Sequence, residues 1–192
     1  MDAAFDLLGT EGWSGTSVRA VCQRAKLNPR YFYESFEDLD ALVVAVYDRV
    51  IGQLTEVVLN AIDGAPEVPA EQLHAIVAAT VAFVDDDRRR ARILYVEALG
   101  NEALNRRRID TGHEVVSFVQ AFGRERHGTP SGGEHLAAVA AAILVGGLSE
   151  LLVAWIEGRL DIGREDLVDA ATTLFLALGE ATTTAGRSRT SP

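Results

Sequence analysis

The sequence predicts an all-α fold, and three observations support that prediction. Apolar residues recur at spacings of three and four along most of the chain, and no segment shows the period of two that is typical of a strand. The chain has 192 residues, of which 48% are hydrophobic and 24% charged, so it can bury an ordinary packed core. Several glycines and the prolines at 66, 69 and 130 fall between the periodic segments, where helices are expected to begin and end.

The first predicted helix is short and is followed by a glycine-containing loop. It spans Asp2 to Leu8 and ends at Gly9. Gly12 and Gly15 indicate an irregular loop before the next helix.

Two more short helices are predicted, with a tight turn between them. Thr16 or Ser17 caps the first of the two, which runs to about Arg24. Asn28 caps the second, and Pro29 suits its first helical position because the missing N–H would be unpaired there anyway.

A long helix and a larger helical region follow. Asp38 is expected to cap a helix over Leu39 to Ile62, which ends before a linker between Pro66 and Pro69. Further helices are predicted at about residues 70–84, 87–99, 102–126, 134–157 and 165–184, with a Gly, Thr and Ser-rich loop at 128–133. The predicted division is an N-terminal domain at 1–45, a larger domain at 46–185 and a flexible tail at 186–192.

Charge and cysteine content exclude several classes of protein. The net charge of −10 argues against a protein that coats nucleic acid over its whole surface. One cysteine, Cys22, excludes an internal disulfide and a cysteine-clustered zinc site. The four histidines lack ligand spacing, and no nucleophile stands in a catalytic pattern, so neither a metal, a cofactor nor an enzyme is predicted. No signal peptide is recognised, and the expected location is the cytoplasm.

The two short helices coincide with a basic window that contains no acid. Residues 12–33 carry four basic side chains and no aspartate or glutamate. A short helix pair of this kind is typical of a helix-turn-helix, whose second helix presents its N-terminal residues to the major groove. The alternative is a small helical hairpin with solvated arginines. The candidate DNA-binding residues are Thr16, Ser17, Arg19, Lys26, Asn28, Arg30, Tyr31 and Tyr33.

The segment from Gly12 to Leu42 resembles the DNA-binding segment of the TetR family of bacterial regulators. The resemblance covers about 30 residues and rests on matched motifs in an ungapped order: Gly12-Trp13, Thr16-Ser17-Val18, Ala25, Leu27-Asn28, Phe32-Tyr33, Phe36 and Leu42.

The resemblance implies a role for each matched residue. Thr16 and Tyr33 would contact phosphates, Arg30 and Tyr31 would lie nearest the bases, and Phe32 and Phe36 would pack the small domain.

Three positions depart from the family pattern. Lys26 stands where the turn usually has glycine, which requires either a left-handed lysine or a different turn. Ser35 and Leu39 replace residues that commonly contact the DNA backbone.

The last two predicted helices carry more apolar surface than one helical pair can bury. We expect a homodimer through a four-helix interface, which the resemblance also implies, while an interior core is the alternative. The candidate interface residues are Ile143, Gly147, Leu148, Leu151, Leu174, Phe175 and Leu178. Residues 136–156 are also long enough for a membrane span, but Glu150 inside them disfavours it.

An effector cavity is expected between the linker and the last helices. Its candidate lining residues are Phe83, Tyr95, Glu97, His113, Phe118 and Trp155, which combine apolar surface with a few polar groups.

The sequence therefore predicts a dimeric transcriptional regulator, a repressor released from a palindromic double-stranded DNA operator by a small-molecule effector. The alternative is a helical small-molecule-binding protein whose DNA-binding module is degenerate.

Overall fold

The all-α prediction is confirmed by a computed structural model that describes residues 1–127 and 134–188. These residues form helices and no strand. The α-helices are α1 Asp2–Thr10, α2 Gly12–Gly15, α3 Val18–Ala25, α4 Pro29–Ser35, α5 Leu39–Gly64, α6 Pro69–Asp86, α7 Arg88–Ala91, α8 Glu102–His127, α9 Glu134–Ile156 and α10 Arg164–Ser188.

Two compact units divide the chain. The first comprises Met1–Val57 and Ala82–Ile109, and the second comprises Val58–Val81 and Asp110–Pro192. The first unit therefore joins the N-terminal helices to a later segment, whereas the predicted boundary at residue 45 divides the chain by role and stays a prediction.

The core of the first unit gathers apolar residues from its early helices and from the later segment. α1 packs against α3 and α7. Residues that are almost wholly buried include Ala4, Leu8, Leu42, Val43, Val46, Ile93, Leu94 and Leu104. Burying each large side chain stabilises the fold by about 1.5–3 kcal/mol, so the later segment is an integral part of this core.

The loop predicted after α1 is partly helical. α1 continues to Thr10, and Gly12–Gly15 forms the short α2. The backbone N–H of Thr16 donates to the carbonyl of Trp13 at 3.0 Å, and its hydroxyl donates to the carbonyl of Gly12 at 2.7 Å. These two bonds close a turn that the glycine spacing did not reveal.

The helix predicted at 87–99 is broken into three pieces. α7 is capped by Asp87, whose carboxylate accepts from the N–H of Arg89 at 3.1 Å. A π-helical turn at Arg92–Val96 and a 3₁₀ turn at Glu97–Gly100 follow. Such mid-helix departures are frequent at functional or strained positions.

The second unit contains the C-terminal helix pair. α9 and α10 pack against each other, and Leu152, Leu167 and Ala171 are almost wholly buried. Between the two helices the indole N–H of Trp155 donates to the carbonyl of Ile162 at 2.9 Å.

Two segments near the C-terminus were predicted to be irregular. α10 extends to Ser188, into the tail that was expected to begin at Gly186, and the flexibility of that tail stays a prediction. The predicted loop at 128–133 and residues 189–192 lie outside the described residues.

Candidate nucleic-acid interface and effector region

Side-chain caps define the starts of α3 and α4. Ser17 rather than Thr16 caps α3, and its hydroxyl accepts from the N–H of Ala20 at 3.2 Å. Asn28 caps α4 through its carboxamide oxygen, which accepts from the N–H of Arg30 at 2.9 Å, and Pro29 occupies the first turn. Both caps satisfy helix N–H groups that would otherwise lack partners, so the pair of short helices is locally encoded.

A left-handed lysine makes the turn between α3 and α4. Lys26 has φ 55° and ψ 39°, and the N–H of Leu27 donates to the carbonyl of Cys22 at 2.9 Å. This hydrogen bond is typical of a helix C-terminus at which glycine usually adopts the left-handed conformation. Lys26 adopts that conformation here, as one of the two expectations from the sequence required. The turn therefore keeps its geometry while presenting an exposed ammonium group.

α4 separates into a buried face and an exposed face. Phe32 is 6% exposed, whereas Tyr31 and Tyr33 are 57% and 62% exposed. The ring of Phe32 lies 5.1 Å from that of Tyr33 and 5.9 Å from that of Phe36, between ring centroids. The packed phenylalanines orient α4, and the two tyrosines extend outward together with Arg30.

Thr16 and Ser17 occupy different environments at the start of α3. Thr16 is 5% exposed, and its hydroxyl donates a hydrogen bond to the carbonyl of Gly12. Ser17 is exposed next to it. The burial of Thr16 favours a role in positioning α3, and Ser17 is the hydroxyl that remains on the surface.

The basic side chains of this region differ in their partners. Arg24 forms ion pairs with Asp6 and Glu11, and Arg30 pairs with Glu34 at 3.0 Å. Exposed pairs of this kind contribute little, so Arg30 can exchange its partner for a phosphate or a base. Arg19 and Lys26 have no recorded ion pair within the described residues.

Glu97, which lies in the segment Ala82–Ile109 of the first unit, binds α2 of the same unit. Its carboxylate accepts from the backbone N–H of Trp13 at 2.6 Å and pairs with Arg92 at 2.6 Å. Arg92 also donates to the carbonyl of Thr10 at 2.8 Å. Gly12, at φ +75°, leaves room for this contact, because a Cβ there would lie 2.8 Å from both Arg92 and Glu97.

A second ionic contact joins α1 to α7. Arg89 pairs with Asp6 at 3.0 Å and with Asp87 at 2.8 Å. The hydrogen bond from Arg89 lowers the pKa of Asp87 below its ordinary value. The contacts made by Glu97 and Arg89 thus attach α2 and α1, respectively, to the later segment Ala82–Ile109.

The six candidate effector residues lie in different surroundings. Phe83 is 5% exposed beneath the guanidinium of Arg90, which lies 4.3 Å from the ring centroid, and Glu97 is held as described above. Tyr95 is half-buried, and burial raises the pKa of its hydroxyl. These three residues belong to the first unit, and His113, Phe118 and Trp155 belong to the second.

Those second-unit candidates are mainly exposed. His113 lies on the surface, Phe118 is 44% exposed, and only Trp155 is half-buried. None of the six lines the surface cleft of about 580 Å³ beside Cys22 and Tyr31, or the cleft of about 460 Å³ beside His74 and Thr172.

The three arginines at 106–108 on α8 differ in their surroundings, which the sequence analysis did not foresee. Arg106 is solvated as its charge suggests, with 74% of its side chain exposed beside Glu102. Arg107 pairs instead with Asp48 at 2.6 Å, and Arg108 is half-buried. The Nε atom of Arg108 and the hydroxyl of Thr111 are buried with no hydrogen-bond partner in the described chain.

The helical spacing could have revealed the burial of Arg108. Asn101, Leu104, Arg108 and Thr111 follow one another at intervals of three and four, so they share one face of α8. Leu104 marks that face as the inward one, because it is 0% exposed.

The candidate dimer residues lie on an incompletely covered helix pair. Ile143 is 53% exposed and Leu174 is 64% exposed. Gly147 has no atom of the described chain within 4 Å of the position of an added Cβ. The remaining candidates are half-buried: Leu148, Leu151, Phe175 and Leu178.

α9 is long and apolar enough to cross a membrane by length and composition. It has 23 residues, and its most apolar window has a mean hydropathy of 2.2 with 17% of it buried within the chain. A helix that is this apolar and this uncovered requires a further apolar partner or surface.

The capped helix pair and the left-handed turn form a helix-turn-helix on an all-α scaffold, with two tyrosines exposed on its second helix. The family model of the bacterial regulatory proteins, tetR family, matches residues 1–46. This match confirms the resemblance of the N-terminal segment to the TetR family that the sequence analysis identified. A search of the curated proteins gives no significant match.

Solved structures share the fold over almost the whole chain. The fatty acid degradation regulator FadR from Bacillus halodurans is similar at 17% identity, with 91% of each chain covered and a TM-score of 0.76. FadR from Bacillus subtilis in complex with stearoyl-CoA has 15% identity, coverage of 91% of this chain and 94% of that chain, and a TM-score of 0.76. A transcriptional regulator from Rhodococcus sp. Rha1 has 21% identity, 94% coverage of both chains and a TM-score of 0.76. At these identities the similarity shows the fold.

Proposed function

We propose that the protein is a cytoplasmic, homodimeric repressor that leaves a palindromic operator when a small-molecule effector binds. It is proposed to act by binding and to catalyse no reaction. The observation that carries the proposal is the outward face of α4, where exposed Arg30, Tyr31 and Tyr33 stand on a helix fixed by the buried Phe32.

The proposed DNA contacts follow from exposure and charge. Arg30 and Tyr31 lie in the first turn of α4, the part of a recognition helix that meets base edges in the major groove. Ser17, Arg19, Lys26 and Tyr33 are exposed around it and suit phosphate oxygens. Thr16 and Asn28 act by holding the starts of α3 and α4.

The dimer is proposed to form through α9 and α10. The exposed apolar side chains of Ile143 and Leu174 would be covered by the same helices of a second copy, and Gly147 would permit close approach. Two helix-turn-helix segments would then read half-sites with centres about one DNA turn, roughly 34 Å, apart.

The proposed effector class is an acyl-CoA or a related fatty acyl compound. Support comes from the fold shared with the FadR protein whose complex contains stearoyl-CoA. An effector that prefers one of two conformations lowers DNA affinity by its differential binding to them. The candidate lining residues Phe83, Tyr95, Glu97, His113, Phe118 and Trp155 remain a proposal.

A second candidate is a helical small-molecule-binding protein with a degenerate DNA module. Two observations favour it: Ser35 and Leu39 lack the usual backbone-contacting side chains, and Arg24 is engaged by Asp6 and Glu11.

Fluorescence anisotropy with labelled duplexes separates the two candidates. The probes are DNA from the region upstream of the protein's own coding sequence and a scrambled duplex, each at two salt concentrations. We expect selective binding that weakens with salt, and a loss of affinity of about 10-fold or more in Tyr33→Ala. Leu99→Ala, which removes a side chain that is 70% exposed and belongs to none of the proposed sites, serves as the control.

Equal binding to both duplexes, or none, would reject the repressor and leave the ligand-binding protein.

A further inference from the structure

A cleft of about 460 Å³ lies within the second unit, between α6, α10 and the residues that follow α5. Its walls are mainly small or apolar side chains, and the polar residues among them are Glu71, His74 and Thr172. Small-molecule sites have volumes of about 300–1,000 Å³ and combine apolar walls with a few polar groups in the same way. None of the candidate DNA-binding, effector or dimer residues lines this cleft, so the proposed function leaves it without a role.

The hydroxyl of Thr172 is a buried polar group without a partner. Thr172 is 7% exposed, and its Oγ1 atom makes no hydrogen bond within the described residues. Threonines inside helices commonly donate to the carbonyl four residues back, as Thr55 does to Ile51 at 2.9 Å and Thr80 does to Ile76 at 2.8 Å. Buried polar groups are nearly always hydrogen-bonded. Because Thr172 lines the cleft, a molecule bound there can supply the partner that α10 does not.

The side-chain charges around the cleft favour a cation. Glu71 lines the cleft with an exposed carboxylate, and Nε2 of His74 lies 3.5 Å from a carboxylate oxygen of Asp169. No arginine or lysine is among the described residues that line the cleft. An ammonium group has three donors and no acceptor, so it can serve a carboxylate and a hydroxyl oxygen at the same time.

The C-terminal end of α5 adds to this negative potential. α5 ends at Gly64, and the next two residues, Ala65 and Pro66, line the cleft. The last carbonyls of a helix lack intrahelical partners and together carry a charge of about −0.5. The positive end of α6 lies at Pro69, which has no N–H, and Glu71 in the first turn offsets it. The backbone therefore favours the same ligand charge as the side chains do.

We propose that this cleft binds an organic cation, an ammonium group on a short apolar body. The ammonium would donate one hydrogen bond to the hydroxyl oxygen of Thr172 and another to the carboxylate of Glu71. The apolar body would lie against Ala75 and Leu176. The inference goes beyond the proposed function, because it assigns a second ligand, of opposite charge to an acyl-CoA, to residues that the effector proposal does not use.

Isothermal titration calorimetry of the full chain with two eight-carbon probes tests the site. Octylamine presents an ammonium group at neutral pH, and octanol presents a hydroxyl on the same hydrocarbon chain. We expect octylamine to bind at least about 10-fold more tightly than octanol. Octylamine that binds no more tightly than octanol would overturn the proposal.

Variants of the two proposed contacts locate the binding. Thr172→Val removes the hydroxyl and should weaken octylamine by about 3- to 10-fold. Glu71→Gln removes the exposed carboxylate charge and should weaken it by about 5-fold. Neither variant should change octanol binding. Thr173→Val and Glu56→Gln are the matched controls, the same substitutions at exposed residues that do not line the cleft, and both should bind octylamine as the wild type does.

Thermal unfolding without ligand distinguishes a ligand-binding hydroxyl from a structural one. Because the hydroxyl of Thr172 has no partner in the described chain, Thr172→Val should leave Tm unchanged or raise it. The proposal is wrong if Thr172→Val or Glu71→Gln binds octylamine as tightly as the wild type does. It is also wrong if Thr172→Val lowers Tm and weakens both probes alike.

Discussion

The helix-turn-helix segment and the C-terminal helix pair differ in how far their structure is specified by local sequence signals. The segment at α3 and α4 is defined by local signals, such as the caps at Ser17 and Asn28 and the turn at Lys26. α9 carries apolar side chains nearly all round, with 17% of its most apolar window buried within the chain, and no local pattern assigns its uncovered face. Short-range hydrogen bonds thus specify the helix-turn-helix geometry, whereas no local signal specifies what covers the exposed apolar face of α9.

The substitution with the largest expected effect is one that prevents the proposed dimer from forming and leaves the fold intact. Leu174→Glu places a charge at a residue that is 64% exposed in the chain but buried in the proposed interface. We expect the dimer dissociation constant to rise by at least about 100-fold, because an unpaired charge would be buried. Analytical ultracentrifugation measures it, and far-ultraviolet circular dichroism checks that the helices remain.

Leu99→Glu is the matched control for that variant. Leu99 is 70% exposed in the 3₁₀ turn of the first unit, far in sequence from the proposed interface, so the same substitution should leave the dimer unchanged. A Leu174→Glu protein that remains dimeric at the wild-type concentration range would exclude α10 from the interface.

The next effect tests the attachment of α2 to the later segment of its unit. Glu97 has an 11% exposed side chain and holds both Arg92 and the backbone of Trp13, so Glu97→Gln should lower the free energy of unfolding by about 1.5–3 kcal/mol. Chemical denaturation measures the loss. Glu102→Gln removes an exposed partner of Arg106 and should cost less than about 1 kcal/mol.

Equal effects of the two glutamate substitutions would contradict this account. A loss of effector affinity in Glu97→Gln without a loss of stability would instead support the earlier assignment of Glu97 to the effector cavity.

The smallest effect separates conformation from charge at the turn. Lys26→Gly relieves a left-handed lysine and should stabilise the protein by about 0.5–1 kcal/mol, whereas Lys26→Ala keeps the backbone strain. Both remove a proposed phosphate contact and should lower the salt slope of DNA binding by about one. If both variants are more stable than the wild type, the charge of Lys26, and not its left-handed backbone, destabilises the protein.

The helix-turn-helix segment was predicted well from the sequence because its structural determinants are neighbours along the chain. The caps at Asn28 and Asp38 and the proline at position 29 act over two or three residues, and each is present in the structure. The periodicity of α5 likewise predicted its length to within a turn.

The remaining features depend on contacts that sequence spacing does not report. One partner of Glu97, the backbone N–H of Trp13, lies 84 residues away along the chain, so the contact between Glu97 and α2 could not be predicted from local sequence. Arg106 to Arg108 formed a charge run that suggested a solvated surface, yet only the helical register with Leu104 places Arg108 on the inward face. The effector and dimer residues stay predictions for the same reason.

Footprinting of the operator by the purified protein tests the central claim most directly. A dimeric reader should protect two half-sites with centres about one DNA turn, roughly 34 Å, apart or a multiple of it, at a stoichiometry of one chain per half-site. Leu174→Glu should lose both protected regions together at the same concentration. A single protected region that survives in Leu174→Glu, or protection spread evenly along the duplex, would contradict a dimer that reads a palindrome through α4.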